Sequence, residues 1–149
     1  MNNIEIIKAG SEHIDEIMVI ENLCFEIPWS RQSMVDEITS NTLAFYLCAK
    51  VDGVIAGYAG MWQVCNEGHI TNIAVHPEFR QGGIGSALVE KLISHARNSG
   101  IDSLTLEVRK SNYPAQKLYK KFKFADGGFR KAYYADNNED ALIMWRENL

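Results

Sequence analysis

The sequence predicts a mixed α/β (α+β) fold: a mostly antiparallel sheet with a central parallel βαβ unit and about four helices. Three observations predict it. Two strand-like runs, Leu43 to Val51 and Val54 to Val64, are joined by Asp52-Gly53, a strong two-residue hairpin signal. The apolar period then changes to the helical one, with Ile84, Leu88, Val89, Leu92, Ile93 and Ala96 on one face. A further strand, Leu104 to Val108, follows that helix. The segment from His69 to Val108 is therefore strand, helix, strand, a unit expected to be parallel with a right-handed crossover.

Taken in order, Ile4 to Ala9 is rich in isoleucine and suits a first strand. Ser11 is expected to cap the next helix, with Glu12 and Asp15 near its positive end. Ile14, Ile17 and Met18 make its apolar stripe, which Glu21 interrupts. Pro28-Trp29-Ser30 breaks the helix, and Ser30 can cap a second one carrying Met34, Val35 and Ile38. After the hairpin, Glu67-Gly68 reads as a turn and His69 to Val75 as a strand. The central helix follows, ended by Gly100. Pro114 suits the first turn of a fourth helix carrying Ala115, Leu118, Tyr119 and Phe122. Phe124 to Tyr134 and Ala141 to Trp145 are the closing strands. The order is βααβββαβαββ. With no repeat, low-complexity tract or linker in 149 residues, residues 1–149 read as one domain.

Composition excludes several classes. The formal net charge of −4 gives no general attraction to nucleic acid. The three cysteines, Cys24, Cys48 and Cys65, match no zinc or redox spacing and read as buried free thiols, which fits a cytoplasmic protein. The opening MNNIEIIKAG lacks the basic and apolar regions of a signal peptide. No apolar run approaches the ~20 residues that span a bilayer. No metal cluster is visible, so no metal is expected.

The segment between strand and central helix carries the chemistry. In Val75-His76-Pro77-Glu78-Phe79-Arg80-Gln81-Gly82-Gly83-Ile84-Gly85-Ser86, three glycines crowd a helix start. Backbone without Cβ atoms admits close approach of a phosphate. The first amides of a helix lack intrahelical partners, and its dipole adds positive character. Arg80 adds a full charge. The Lys-Ser/Thr of a P-loop and the spacing of a dinucleotide fingerprint are both missing, which disfavours an NTPase or dehydrogenase.

The runs ITNIAVHPEFRQGGIGSALVEKL and LEVRKSNYPAQKLYKKF resemble the coenzyme A-binding region of the GNAT acetyltransferase superfamily. Arg80, Gly83 and Gly85 match its signature Gln/Arg-x-x-Gly-x-Gly/Ala. Pro28-Trp29-Ser30, Asn72-Ile73-Ala74-Val75, Leu106-Glu107-Val108-Arg109, Ser111-Asn112, Leu118-Tyr119 and Tyr133-Tyr134 resemble the RimI type, the ribosomal-protein alanine N-terminal acetyltransferases. These pieces run in the family's order over nearly the whole chain.

The resemblance implies acetyl-CoA as co-substrate and the N-terminal alanine of ribosomal small-subunit protein 18 as acceptor. It implies that Ile73, Ala74 and Val75 present backbone to the pantetheine, with the Val75 amide near the thioester carbonyl. Gln81, Gly82, Gly83, Ile84, Gly85 and Ser86 would hold the pyrophosphate together with Arg80. Asn112 would bond the pantetheine arm, Glu107 would be general base and Tyr119 general acid. Trp29, Tyr133 and Tyr134 would serve the acceptor. Two departures stand out. Lys123 occupies a turn position where the family often has glycine, at a cost of about 1 kcal/mol. Gln81 replaces a second basic residue.

The chemistry suits these groups. An attacking amine must be neutral. An α-amino group with pKa ~7.7–8.0 is roughly one-tenth neutral at pH 7, against about 0.04% for a lysine side chain. A glutamate, acting directly or through one water, is an adequate base for the former. A phenol of pKa ~10 can protonate the departing thiolate. Glu107 could instead pair with Arg109 or a lysine. His69 and His76 are rival bases. Tyr133 and Tyr134, adjacent in a strand, are expected to face opposite sides, one of them lining a peptide groove. Two other functions share the cradle: acetylation of small amines, and acetyl-CoA binding without catalysis.

Overall fold

The computed structural model describes residues 3–149. Seven strands form one sheet: β1 (Ile4–Lys8), β2 (Ala44–Val51), β3 (Val54–Val64), β4 (Glu67–Val75), β5 (Ser103–Arg109), β6 (Ala125–Tyr134) and β7 (Glu139–Arg146). Its spatial order is β1-β2-β3-β4-β5-β7-β6. Every pairing is antiparallel except β4 with β5. Four helices, α1 (Ile14–Cys24), α2 (Arg31–Thr39), α3 (Ile84–Asn98) and α4 (Tyr113–Lys121), complete the expected order.

Both faces of the sheet are covered. On one, Ile17, Ile20 and Met34 of α1 and α2 pack with Tyr46, Cys48 and Tyr58. On the other, Leu88, Val89, Leu92 and Ala96 of α3 pack with Leu47, Ala59, Leu104 and Leu106, joined by Tyr119 of α4 and Phe124. No helix among the described residues is long and apolar enough to cross a membrane.

The hairpin at Asp52-Gly53 forms as read, both residues having positive φ (51° and 83°). Ser30 caps α2, its Oγ accepting from the Ser33 amide at 3.1 Å. Two local readings are corrected. Ser11 does not cap α1 but opens a 3-10 turn, Ser11–His13, in which the Gly10 amide donates to His13 Nδ1 at 2.9 Å. The turn between β3 and β4 falls at Cys65-Asn66, with Cys65 at φ 54°, and Glu67 and Gly68 lie inside β4. Gly68 answers to packing: a Cβ there would meet Leu104 at 2.5 Å and Met61 at 3.0 Å. The cysteines divide as well. Cys48 is buried, Cys24 half-buried, and Cys65 exposed on its turn.

Lys123 takes the left-handed conformation that glycine would favour, at φ 70°. The Phe124 amide bonds back to the Tyr119 carbonyl (3.1 Å) and the Lys123 amide to that of Lys120 (2.9 Å), a Schellman closure of α4. The Phe124 and Tyr119 rings pack together at 5.9 Å, supplying its apolar contact. The lysine thus bears the backbone cost without changing the turn. Lys123→Gly should raise unfolding stability by up to about 1 kcal/mol. Urea denaturation with unchanged m-value checks this.

Candidate active site

The site begins where the sheet opens. β4 and β5 pair only over Glu67–His69 with Ser103–Thr105. Beyond that point β4 runs to Val75 and β5 to Arg109 without pairing each other. A register shift in the β3–β4 pair leaves Thr71 as an extra residue on β4. Such a bulge bends its strand and resets which face each side chain takes. Ile70 accordingly joins the core under α3, while Ala74 joins the core under α1 and α2. The divergence leaves backbone groups of Ile70–Val75 on the β5 side without a strand partner. It also opens a crevice of about 770 Å³.

Glu107, Tyr119, Asn112 and Ile73 line this crevice, and so do Trp29, Tyr133 and Tyr134. The structure therefore gathers the expected catalytic and acceptor residues in one space. Ala74 is buried beneath it, 5% exposed. Val75 and the segment Arg80–Ser86 lie beyond it, at the end of β4 and the start of α3.

Glu107 is nearly enclosed, its side chain 10% exposed. Its partner is not Arg109. His69 Nε2 lies 2.6 Å from one carboxylate oxygen, and Arg130 Nε donates to the other at 3.1 Å. The His69 hydrogen bond, and then the charge of Arg130, hold the Glu107 carboxyl below the usual carboxylate range against the opposing effect of burial. His69, the rival base of the sequence reading, is hydrogen-bonded to Glu107. His76 is taken up elsewhere, accepting the Glu78 amide on its Nδ1 at 3.1 Å.

Tyr119 is 8% exposed, and burial pushes its phenol above the ordinary value, with Tyr134 adding to the rise. Its position, three residues inside the closure of α4, fixes its height over the crevice. Asn112 is the N-cap of α4, its Oδ1 accepting from the Ala115 amide at 3.2 Å. Its amide N–H groups remain as donors for a ligand.

The start of α3 differs from those of α2 and α4. Its N-cap, Gly83, is left-handed at φ 82° and makes no side-chain cap bond. A Cβ added at Gly83 would meet open space. The first amides of α3 are thus left unsatisfied by the protein in an unobstructed setting. Gly85 has another role: a Cβ there would press on Leu118 of α4 at 3.2 Å, so this glycine sets the approach of the two helices. Arg80 folds toward the end of β4, its Nε donating to the Val75 carbonyl at 3.4 Å. Lys121 of α4 places its ammonium 3.2 Å from Ser86 Oγ, adding a cation at this helix start that Gln81 does not provide.

Two loops wall the crevice. One joins α1 to α2 and includes Trp29. The other is the β6–β7 hairpin, whose register is irregular between Arg130 and Tyr134 and which holds Ala132 at φ 49°. This irregularity overturns the expectation that Tyr133 and Tyr134 face opposite sides. Their rings meet edge to face at 5.1 Å, and both reach the crevice. Arg109 clamps the hairpin, with its guanidinium 4.1 Å over the Tyr134 ring and both NH2 contacts to Asp136 at 3.0 Å. Glu139 accepts from Arg109 at 3.3 Å and from the Ser111 amide at 2.7 Å. Those bonds, led by Ser111, hold the Glu139 carboxyl at about 2. Burial pushes the Tyr134 phenol up to about 12.

Arg130 and Lys121 were not legible as members of the site, while His69 was read only as a rival base and Arg109 only as a possible partner of Glu107. Arg130 arrives from β6 and Lys121 from α4, and no local spacing announces either. Glu21 was visible in one respect, as the carboxylate breaking an apolar stripe.

Residues 14–124 match the model of the acetyltransferase (GNAT) family. A Bacillus subtilis (strain 168) protein, provisionally named a ribosomal protein bS18-alanine N-acetyltransferase, is 46% identical over 134 residues, 90% of this chain and 89% of its own length. The ribosomal protein bS18-alanine N-acetyltransferase of Escherichia coli (strain K12) is 36% identical over 84% of each chain. The crystal structure of the Escherichia coli ribosomal-protein-S18-alanine N-acetyltransferase superposes with a TM-score of 0.88 at 31% identity, covering 99% of this chain and 94% of that one.

Proposed function

The chain belongs to the GNAT acetyltransferase family, whose co-substrate is acetyl-CoA, and from that premise we propose that it acetylates the α-amino group of a protein N-terminus, the alanine of ribosomal protein bS18. The observation that carries this reading is the shared crevice. One opening in the sheet holds a carboxylate and a phenol, and it is walled on the acceptor side by Trp29, Tyr133 and Tyr134. The cytoplasm is the compartment this acceptor implies, with neither membrane nor nucleic acid as a direct partner.

The residues present fit acetyl-CoA. The uncapped amides of α3, the open space at Gly83, Arg80 and Lys121 suit the diphosphate. The free edge of β4 at Ile73–Val75 and the Asn112 amide suit the pantetheine amides. When bound, acetyl-CoA supplies an acyl group activated as a thioester. Glu107 takes the proton from the attacking amine, and His69, about a third exposed, offers that proton a way out to solvent. Tyr119 holds the proton for the departing sulfur; burial keeps this phenol protonated throughout the working range. The Val75 amide is the donor for the oxygen that gains charge.

The pH dependence follows from Glu107 being already ionised. Its depressed pKa leaves it deprotonated throughout the neutral range, so the acceptor amine governs the acid limb. kcat/KM should rise about tenfold per pH unit below an amine pKa of ~7.7–8.0 and level off above it. An initial-rate profile from pH 6 to 9 checks this, and a peptide with a less basic amine should move the limb down by its pKa difference. The same ionised carboxylate stabilises the fold above the ordinary carboxylate range, and that contribution is lost as pH falls through the lowered value.

Mass spectrometry of a peptide panel incubated with acetyl-CoA tests the assignment. Acetylation of the α-nitrogen of the bS18 N-terminal peptide is the expected result. Preferential modification of polyamines would move the function to small amines. Binding of acetyl-CoA without turnover on any acceptor would make the chain a binding module.

A further inference from the structure

A carboxylate that this mechanism does not use stands in the wall of the crevice. Glu21 of α1 is 1% exposed and surrounded by the apolar core of that face, among Ile17, Ile20, Met34 and Tyr58. Uncompensated, a carboxylate there would carry a large desolvation cost. It is compensated on both oxygens. The Tyr58 hydroxyl of β3 donates to Oε1, and the Trp29 backbone amide donates to Oε2 at 2.8 Å. Burial raises the Glu21 carboxyl above its ordinary value, and the Trp29 and Asn72 contacts pull it back.

The second bond reaches eight residues along the chain into the segment that follows α1. Within that segment Trp29 is half-buried and packs against the core under α1 and α2, whereas Phe25 and Ile27 are left largely outside it. Ile27 is 59% exposed and Phe25 36%, so apolar packing does not anchor them. Both line the crevice together with Glu26 and Trp29. Their placement depends on a tether at each end: the end of α1, and the hydrogen bond at Trp29 just before the Ser30 cap.

We infer that Glu21 is a positioning residue for the acceptor, its buried carboxylate tying the Trp29 backbone to Tyr58 so that residues 25–30 stand as one wall of the crevice. This rests on the reading of the crevice as the acceptor site. It also accounts for a carboxylate at an apolar position of α1. A hydrophobe at position 21 would pack as well there, but would leave the Trp29 amide without a buried acceptor. The segment would then turn outward to satisfy that amide with water.

Two variants test this: Glu21→Gln, and the double variant Glu21→Met with Tyr58→Phe. The double variant replaces a buried polar pair with hydrophobes of similar size, a change that commonly leaves a fold as stable or more so. In the double variant, KM for the bS18 peptide should rise about tenfold or more, while KM for acetyl-CoA stays within about twofold. In Glu21→Gln, the carbonyl can still accept the Trp29 N–H and the NH2 can donate to the Tyr58 oxygen. That variant should keep the peptide KM within about twofold, and a large rise there would overturn the inference. In the full chain labelled with 5-fluorotryptophan, the fluorine resonance lost in Trp29→Phe should shift or broaden in the double variant and stay in place in Glu21→Gln, with those of Trp62 and Trp145 unmoved. A merely structural role would lower the melting temperature of the double variant and leave its peptide KM and Trp29 resonance in place, which would overturn the inference. Loss of acetyl-CoA binding in the double variant would overturn it too, because Glu21 would then serve the whole fold. Failure of the unaltered enzyme to acetylate any peptide would count against the acceptor reading instead. The fluorine signal is recorded without an acceptor and reports on the wall in either case.

Discussion

Glu107→Gln should lower kcat by about 100-fold or more while leaving the affinity for acetyl-CoA unchanged. Glutamine matches the carboxylate in size and can still accept from His69 or Arg130, so the crevice keeps its shape. What disappears is the ability to take a proton from the amine. The loss should appear in kcat and kcat/KM together, because the proton moves only in the transition state. The residual rate should depend more steeply on pH, since the variant has no base between the amine and solvent. Steady-state kinetics with the bS18 peptide, beside calorimetric titration of acetyl-CoA, would separate the two effects. A variant with normal turnover would remove Glu107 from the chemistry and leave it as the carboxylate that fastens β4 and β6 to β5.

Gly83→Trp should abolish measurable acetyl-CoA binding, a loss of at least about 100-fold, which corresponds to about 2.7 kcal/mol. The space beyond the Gly83 Cα is open, so the indole would meet no protein atom within 4 Å of its Cβ and would fill the place where a diphosphate can reach the α3 amides. The substitution also forces an L-residue to φ 82°, which costs about 1–2 kcal/mol of stability. Gly53→Trp separates these effects. Gly53 has almost the same φ, 83°, and equally open surroundings, but it lies in the β2–β3 hairpin. The two variants should lose similar stability in denaturation, and only the Gly83 variant should lose acetyl-CoA. Equal affinity in both would show that the phosphates bind elsewhere.

The glycines show where sequence reasoning divides from structure. Gly82, Gly83 and Gly85 read alike as a phosphate cradle. Gly83 alone combines a left-handed backbone with open space, whereas Gly85 is small because Leu118 of α4 lies against it. Gly68 read as a turn and is instead a place where Leu104 crosses close to β4. A missing Cβ looks the same in sequence whether it serves conformation, ligand or neighbour. Only the neighbour's position tells them apart.

Element order, the Asp52-Gly53 hairpin, the parallel β4–β5 pair and the families of residues around Glu107 and Tyr119 were legible in the sequence. They are local matters of apolar period, turn residue and helix cap, or they are motif matches that run along the chain. Tertiary structure alone decided that His69 and Arg130 hold Glu107, that Arg109 serves the hairpin instead, and that Tyr133 and Tyr134 share a side. The His69 contact follows from the parallel pairing of β4 with β5, and the placement of Arg130 and the two tyrosines follows register shifts in β6. One extra residue in a strand turns every later side chain to the other face, and the energy that selects it comes from partners far away in the chain.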